Sequence, residues 1–366
     1  MFILASVTLL SAPLAKAGNN DVAIAAALKY IRDQQNDDGS FGKTQTRLQT
    51  GMAMLAIASM GDSAADDATR KSDAALLSKA AKFLVAGASI SGDIGDDSFR
   101  TESHAIATTA LLCCVERLPD AEQRQTVGKE LARAILLLRQ NQDRSSSSAA
   151  HGGWKMEGRA GSNNDRRASA WALYALAAAK QLGLDVRPPD LERGAKYLLG
   201  SFKSEPKQAA DHDSAEVKPD DVGGLSVDET GLTVETISAM GGWALTRIAP
   251  NADRAKKNFA WLTRNPPAWT GPNYFYANFF RARATRMLDA SSDDTGAGAF
   301  ATTMRRISQQ IKDHQLGDGS ISFPPGDAQN EVAMGGVFST AMSVLILNTA
   351  NSRLPIDEDY RAKPLF

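Results

Sequence analysis

The sequence predicts an all-α protein, a closed (α/α)6 toroid of about six helical hairpins. Two observations carry this prediction. A pattern of an apolar pair followed by a Gly turn occurs six times, with 49 to 64 residues between successive pairs. Each turn precedes a segment rich in Ala and other apolar residues, and no alternating strand pattern is sustained anywhere. A recurring unit of this length is typical of repeat architectures.

The first residues predict an export signal. Phe2–Leu14 is mostly apolar, and Ala15-Lys16-Ala17 fits a small-x-small cleavage site, although no Lys or Arg precedes the apolar run. This run is too short to span a membrane as a helix. We therefore expect a signal peptide over 1–17, a single toroid domain over 18–366, and a periplasmic or extracellular product with no stable membrane insertion.

Composition places the chain among ordinary globular proteins. Hydrophobic residues make up 43% of the 366 residues and charged residues 23%, which excludes wholesale disorder. The 41 Lys and Arg residues nearly balance the 42 Asp and Glu residues, giving a net charge of −1. Nothing in this balance indicates a nucleic acid or an anionic membrane as partner.

Each unit of the pattern predicts two helices. The apolar pair ends an outer helix, and the pairs are Tyr30-Ile31, Phe83-Leu84, Leu137-Leu138, Tyr197-Leu198, Trp261-Leu262 and Gln310-Ile311. An inner helix follows each turn, and the predicted inner helices are Thr50–Met60, Glu102–Val115, Ser169–Ala179, Leu232–Ile248, Asn273–Leu288 and Glu331–Leu347. Segments that are apolar all round belong in the interior, whereas one-sided segments belong outside.

Closure of the ring is indicated by its last inner helix. Val332–Leu347 is as apolar as the middle inner helices, whereas an open array would end in a polar cap. Two polar insertions, Ser145–Ala150 and Ser204–Asp221, are predicted to be surface loops near one mouth of the ring.

Several segments match a known family. Lys79-Ala80-x-x-Phe83-Leu84 and Arg193-Gly194-x-x-Tyr197-Leu198 resemble the opening of the Gln-Trp repeat. Gln35–Phe41 and Gln142–Trp154 resemble its Gln…Gly-x-Trp ending. The chain thus resembles the terpenoid cyclase and protein prenyltransferase α/α-toroid superfamily. Within it, the likeness is to prenyltransferase and squalene-oxidase repeat proteins and to the C-terminal domain of squalene–hopene cyclases. These motifs tie helices together, so the resemblance implies a fold more than an activity.

The resemblance also implies where an acid would lie. Squalene–hopene-type cyclases protonate an alkene with an Asp-x-Asp-Asp motif, which this sequence lacks. Ser226-Val227-Asp228-Glu229-Thr230 stands at the start of the fourth inner helix, with Asp228 where the protonating Asp would be. A helix N-terminus stabilises a carboxylate, and Asp there is also an ordinary cap. Asp228, assisted by Glu229, is the candidate general acid, and an N-cap is the alternative.

Three further polar residues precede or open inner helices. They are His104, Asp165 and Glu331, and closure of the ring would bring them near the same mouth as Asp228. A set of polar groups at a concave mouth is a candidate ligand site. Each residue taken alone is also a normal helix cap or loop contact.

The densest aromatic cluster lies in the fifth inner helix. Tyr274, Tyr276 and Phe280 are candidate ligand contacts, since Tyr276 and Phe280 share one helix face. Ordinary core packing is the alternative. Farther along this helix, Arg281, Arg283 and Arg286 are predicted to form a solvated basic face.

No metal or cofactor is predicted. The only cysteines, Cys113 and Cys114, are adjacent in the middle of an inner helix and are expected to be small buried residues. The four His residues are scattered singly, so no zinc-ligand spacing is present.

Two functions remain open from the sequence. The first is an exported module that binds a ligand, a protein or a glycan and has no cyclase acid motif. The second is a terpene cyclase-like enzyme of the isomerase class, with Asp228 as acid and Tyr276 and Phe280 stabilising cations formed on an isoprenoid. The fold alone does not separate them.

Overall fold

The computed structural model describes residues 20–61, 66–145, 151–157, 164–199, 234–248, 253–265, 268–270, 272–291, 298–325 and 331–358. The predicted signal peptide and Ser204–Asp221 lie outside these residues, as do Asp228 and Glu229. So does most of Ser145–Ala150.

Helices alternate between an outer and an inner layer. The outer helices are α1 (Asp21–Asp33), α3 (Asp67–Ala86), α5 (Ala121–Asn141), α7 (Pro188–Leu199), α9 (Asp253–Arg264) and α11 (Ala299–Asp313). The inner helices are α2 (Thr46–Ser59), α4 (Arg100–Cys114), α6 (Arg166–Gln181), α8 (Val234–Ile248), α10 (Tyr274–Ser291) and α12 (Gly336–Leu347). A short helix, α13 (Pro355–Glu358), ends the described chain. Strands β1 (Trp154–Lys155) and β2 (Asn164–Asp165) form an antiparallel pair.

The inner helices form a closed ring, which confirms the predicted toroid. Helix α2 packs against α4, and α4 packs against α6; α8 packs against α10, α10 against α12, and α12 returns to α2. The rings of Tyr174 and Trp243, 5.3 Å apart, join α6 to α8. In α4 every residue from Thr101 to Cys114 is buried, whereas outer helix α1 buries one face only. Cys113 and Cys114 are free and buried, as predicted.

The Gln position of the pattern links neighbouring hairpins. The amide of Gln35 donates to the carbonyls of Gly39, at 3.2 Å, and Leu76, at 2.9 Å. Gln142 and Gln315 make the same pair of bonds in their own turns. The Gln315 amide reaches the carbonyl of Ala23 in α1 at 2.9 Å. One side-chain contact therefore both joins neighbouring hairpins and closes the ring.

Helix α12 starts later than predicted. Glu331 precedes a 3-10 turn over Val332–Met334, and α12 begins only at Gly336. The break falls at Gly335, whose φ of +86° is a left-handed value that a helix does not accept. Glu331 is consequently held on a turn at the ring's edge and does not belong to the helix.

None of the described helices is long and apolar enough to cross a membrane.

Candidate functional site

The N-terminal ends of the inner helices gather at one mouth of the ring, because every inner helix follows a turn and runs in the same direction. We call this the N-terminal mouth and the opposite one the C-terminal mouth. Uncompensated backbone N–H groups and the helix dipoles make such a mouth favourable for acidic side chains. The described residues place Glu102, Asp165, Arg167, Tyr276 and Glu331 here, in or beside the first turns of α4, α6 and α10 and before α12.

A hydrogen bond crosses the ring at this mouth. The Tyr276 hydroxyl on α10 donates to Oε1 of Glu102 on α4, and these two helices stand opposite each other in the ring. Both side chains are fully buried. Burial raises the pKa of Glu102 to about 7, although Arg167 and the Tyr276 hydrogen bond act to lower it. Glu102 is therefore a carboxyl group that changes its charge near neutral pH.

Glu331 fixes the start of α10. Its two carboxylate oxygens accept hydrogen bonds from the backbone N–H groups of Tyr276, at 2.9 Å, and Phe275, at 3.3 Å. This pairing satisfies two first-turn donors that have no partner within their own helix. Since the same turn carries the Tyr276 hydroxyl, Glu331 also determines where that hydroxyl meets Glu102.

Arg167 places a positive charge between aromatic rings and carboxylates. It is 6% exposed, and its guanidinium carbon lies 5.8 Å from the centroid of the Phe99 ring and 5.6 Å from that of Tyr276. Burial opposes its charge, but nearby Glu102, Asp165 and Glu331 raise its pKa. In the described part of the chain, none of these carboxylates forms a direct ion pair with it.

Several buried polar atoms at this mouth have no hydrogen-bond partner among the described residues. They are Oε2 of Glu102, Nη1 of Arg167 and both amide atoms of Asn273. Asn273 is fully buried directly before α10 and has a left-handed φ of +59°. A buried polar atom without a partner costs about 1–3 kcal/mol, so a bound ligand or water that supplies the hydrogen bond would stabilise this mouth.

Asp165 caps α6. Its carboxylate accepts a hydrogen bond from the N–H of Ala168 at 2.9 Å, while its backbone pairs with Trp154 across β1 and β2. It is close enough to affect the charges of both Glu102 and Arg167. Asp165 is therefore both the N-cap of α6 and a neighbour of the candidate site.

His104 faces away from the mouth. Its Nδ1 accepts a hydrogen bond from the N–H of Ile94 at 3.2 Å, and Nε2 lies 3.1 Å from the carbonyl oxygen of Ala134 in outer helix α5. Burial lowers its pKa, which favours the neutral ring. These contacts tie α4 to its outer neighbour and do not join the Glu102 cluster.

The predicted aromatic residues separate into different environments. The Tyr274 hydroxyl donates to Gln310 of outer helix α11 at 3.0 Å, so this side chain packs between the two layers. Phe280 lies in a ring-on-ring layer with centroids 4.9 to 6.4 Å apart, formed by Trp171, Tyr174, Trp243, Phe279 and Phe280. We call this set the aromatic layer. Its members are 0–1% exposed and pack directly against each other.

Helix α13 packs against the inner helices at the C-terminal mouth. Arg283 on α10 forms a fully buried bidentate pair with Asp357 of α13, with N–O distances of 3.1 and 2.8 Å. The hydroxyl of Ser352 also donates to Asp357 at 2.7 Å. The predicted solvated basic face is therefore wrong for Arg281 and Arg283, which are both 0% exposed.

A groove of about 550 Å³ lies between α2, α3 and the loop before α4, and its lining includes Asp96 and Asp97 of that loop. Asp96 accepts hydrogen bonds from the N–H groups of Arg47, at 3.2 Å, and Leu48, at 2.8 Å. Its carboxylate is thus used to cap α2. Among the described residues no group of three His, Cys, Asp or Glu side chains is placed to hold a metal ion.

Neither Glu102 nor Arg167 was predicted from the sequence as a site residue. Glu102 opened the predicted second inner helix and Arg167 followed Asp165, but neither matched a motif of the resembled family. A usable signal was present: each is a charged residue in the first turn of an otherwise apolar or small-residue inner helix. Because buried charges of this kind need a partner, a charged residue at such a position is a candidate site residue.

Comparison with known proteins gives a likeness in fold. No protein-family model matches the chain, and no curated protein matches it significantly. Among solved structures, the type II terpene cyclase MstE from Scytonema is similar, with 16% identity and a TM-score of 0.51. The match covers 92% of this chain and 99% of that one. The α-1,6-mannanase GH76A from Salegentibacter sp. HEL1_6 is similar at 12% identity and a TM-score of 0.56, over 89% and 97% of the two chains. These likenesses confirm the predicted α/α-toroid fold.

Proposed function

We propose that this chain is an exported ligand-binding toroid that receives a polar part of its ligand at the N-terminal mouth. The observation that supports this most strongly is the pair of buried, unpartnered polar atoms on Glu102 and Arg167. Retaining such atoms lowers stability unless a bound molecule satisfies them.

The fold likeness is compatible with such a ligand. An inactive variant of the mannanase GH76A, similar at a TM-score of 0.55, is described in complex with α-1,6-mannotetrose. An α/α toroid of this shape can therefore hold an extended hydroxyl-rich molecule. At 11% identity no residue of the mannanase corresponds to a particular residue of this chain, so the ligand contacts proposed here are those of Glu102 and Arg167.

The alternative is a terpene cyclase-like enzyme with Asp228 as general acid, assisted by Glu229. Its support is the likeness in fold to MstE. Two observations favour the binding module. The sequence lacks the Asp-x-Asp-Asp motif, and the rings of the aromatic layer touch each other, leaving no space between them for an isoprenoid chain.

The test is binding by the mature chain, residues 18–366, to two classes of probe. Native mass spectrometry and calorimetry would be run with α-1,6-mannotetrose and with squalene and geranylgeraniol. We expect saturable binding of the hydroxyl-rich probe, at least tenfold weaker in Arg167→Met. Arg70→Met, which removes a surface guanidinium on α3, should bind like the wild type.

Two results would contradict the proposal. One is the absence of binding by any hydroxyl-rich probe. The other is binding of squalene that is unchanged in Arg167→Met and lost in Asp228→Asn, which would establish the cyclase-like alternative.

A further inference from the structure

Glu102 and Arg167 are buried charged residues at the N-terminal mouth, and each has a polar atom with no hydrogen-bond partner among the described residues. They lie in the first turns of neighbouring inner helices, α4 and α6, and both lie against Tyr276 of α10. Each influences the other's charge, yet they form no direct ion pair. The two unpartnered atoms are Oε2 of Glu102 and Nη1 of Arg167, on side chains that are 0% and 6% exposed.

Hydrogen-bond chemistry restricts which ligand groups can bond to both of these atoms. The Tyr276 hydroxyl already donates to Oε1 of Glu102, so a proton on this carboxyl resides on Oε2. Arg167 Nη1 can only donate. A ligand hydroxyl would therefore accept from Arg167 and donate to ionised Glu102. A ligand carbonyl or carboxylate oxygen would instead accept from both Arg167 and protonated Glu102.

The surrounding charges disfavour a carboxylate ligand. Among the described residues, Arg167 is the cation whose charge acts on Glu102, and Asp165 acts on Glu102 as a second carboxylate. Glu331 lies across Tyr276 as a third acidic group, and it also acts on Arg167. His104 on α4 is turned away toward α5. An anionic ligand would add a fourth negative group around one guanidinium, which is unfavourable in a buried setting.

We propose that the N-terminal mouth binds a hydroxyl group of its ligand between Glu102 and Arg167. The hydroxyl oxygen accepts a hydrogen bond from Nη1 of Arg167, and its hydrogen is donated to Oε2 of ionised Glu102. This inference rests on the proposed function and adds the chemical group that the site recognises. It makes Glu102 the residue that separates hydroxyl ligands from carboxylate ligands.

A consequence is that binding expels a proton and tightens as pH rises. With a pKa of about 7, Glu102 is ionised to roughly one tenth at pH 6 and roughly nine tenths at pH 8. If only the ionised form binds, the apparent dissociation constant scales inversely with that fraction. Affinity should then increase about tenfold across this interval.

The experiment measures the dissociation constant of α-1,6-mannotetrose by calorimetry at pH 6, 7 and 8. We expect about tenfold tighter binding at pH 8 than at pH 6 in the wild type. Glu102→Gln, which cannot ionise, should remove this slope. Glu116→Gln, an exposed residue that follows α4, should keep it. Mannuronate, which has a carboxylate in place of the C6 hydroxymethyl group of mannose, should bind at least tenfold more weakly than mannose at pH 8.

The possible outcomes distinguish this inference from the proposed function. Binding that is lost in Arg167→Met but does not vary with pH would overturn this inference and leave the proposed function intact. Tighter binding at pH 6, or preference for mannuronate, would establish the carbonyl arrangement and also overturn it. Failure of every hydroxyl-rich probe to bind would overturn both.

Discussion

Both mouths of the ring bury charged side chains, but only the charges at the C-terminal mouth form a direct ion pair among the described residues. At the C-terminal mouth, Arg283 meets Asp357 in a bidentate pair that Ser352 supports. At the N-terminal mouth, Arg167 and Glu102 are also buried, but among the described residues neither forms a direct ion pair. Burial of charge therefore does not by itself indicate a site. The charges that the chain leaves unmatched are the ones that indicate a ligand.

The largest expected effect is at the C-terminal mouth. Asp357→Asn leaves the fully buried Arg283 without its counter-ion, so the free energy of unfolding should fall by about 3–5 kcal/mol. Denaturant unfolding followed by circular dichroism measures this. Asp185→Asn is the control, because Asp185 pairs with Arg139 while remaining 89% exposed and should change stability little. A loss under 1 kcal/mol in Asp357→Asn would contradict the account of this mouth.

The aromatic layer lies inside the ring, between the two mouths, and should behave as core. Phe280→Ala is expected to cost about 3–5 kcal/mol of unfolding free energy, because the ring packs against Trp171, Tyr174 and Trp243. Phe323→Ala, at a half-buried position, should cost clearly less. If Phe280→Ala were as stable as the wild type, the layer would be a cavity wall, and the isoprenoid alternative would gain support.

At the N-terminal mouth a substitution should stabilise the protein. The pKa of Glu102 is about 7 when folded against 4.5 for the ordinary side chain, so the folded state binds more protons between these values. Stability is therefore lost as pH rises from 4.5 to 7, by about 3 kcal/mol in total.

Glu102→Gln should recover this loss. It should unfold much like the wild type at pH 4.5 and be more stable by about 3 kcal/mol at pH 8. Urea unfolding at the two pH values measures the difference, with Glu116→Gln as the exposed control. An equal effect at both pH values would show that Glu102 does not titrate in this range.

The smallest expected effect concerns closure of the ring that holds both mouths. Gly319 has a φ of +91°, and an added Cβ would press on the backbone carbonyl of Ala26 in α1. Gly319→Ala should cost about 1–3 kcal/mol. Gly317→Ala, two residues earlier with open space around it, should be nearly neutral. Equal stability of the two variants would argue against the contact that joins the last hairpin to the first.

The fold was largely predictable because its signals are local and repeated. The Gly turn, the Gln position and the apolar inner helices recur in sequence, and the Gln35, Gln142 and Gln315 contacts recur with them. The start of α12 was not predicted, since the left-handed Gly335 interrupts a continuous apolar run. Arg281 and Arg283 were misjudged because their partners come from other segments of the chain. Arg281 donates to carbonyls in the last turn of α9 and directly after it, and Arg283 pairs with Asp357 of α13.

The candidate site was only partly predictable. Asp165, Glu331 and Tyr276 stood out as polar or aromatic residues at inner-helix starts, and the structure brings them near one another. His104 has the same sequence position but turns outward to α5. Side-chain direction within one helical turn decides this difference. Glu102 and Arg167 draw their significance from a contact across the ring and a missing partner, which no local pattern shows.

The most direct test of the central claim is a titration of Glu102 by carbon NMR on protein labelled at the glutamate carboxyl groups. The account predicts one glutamate with a midpoint near pH 7 that is absent in Glu102→Gln. Saturating α-1,6-mannotetrose should move that midpoint to lower pH, as the ligand hydroxyl stabilises the carboxylate. A spectrum in which every glutamate titrates below pH 5.5, or a midpoint that ligand leaves in place, would contradict it.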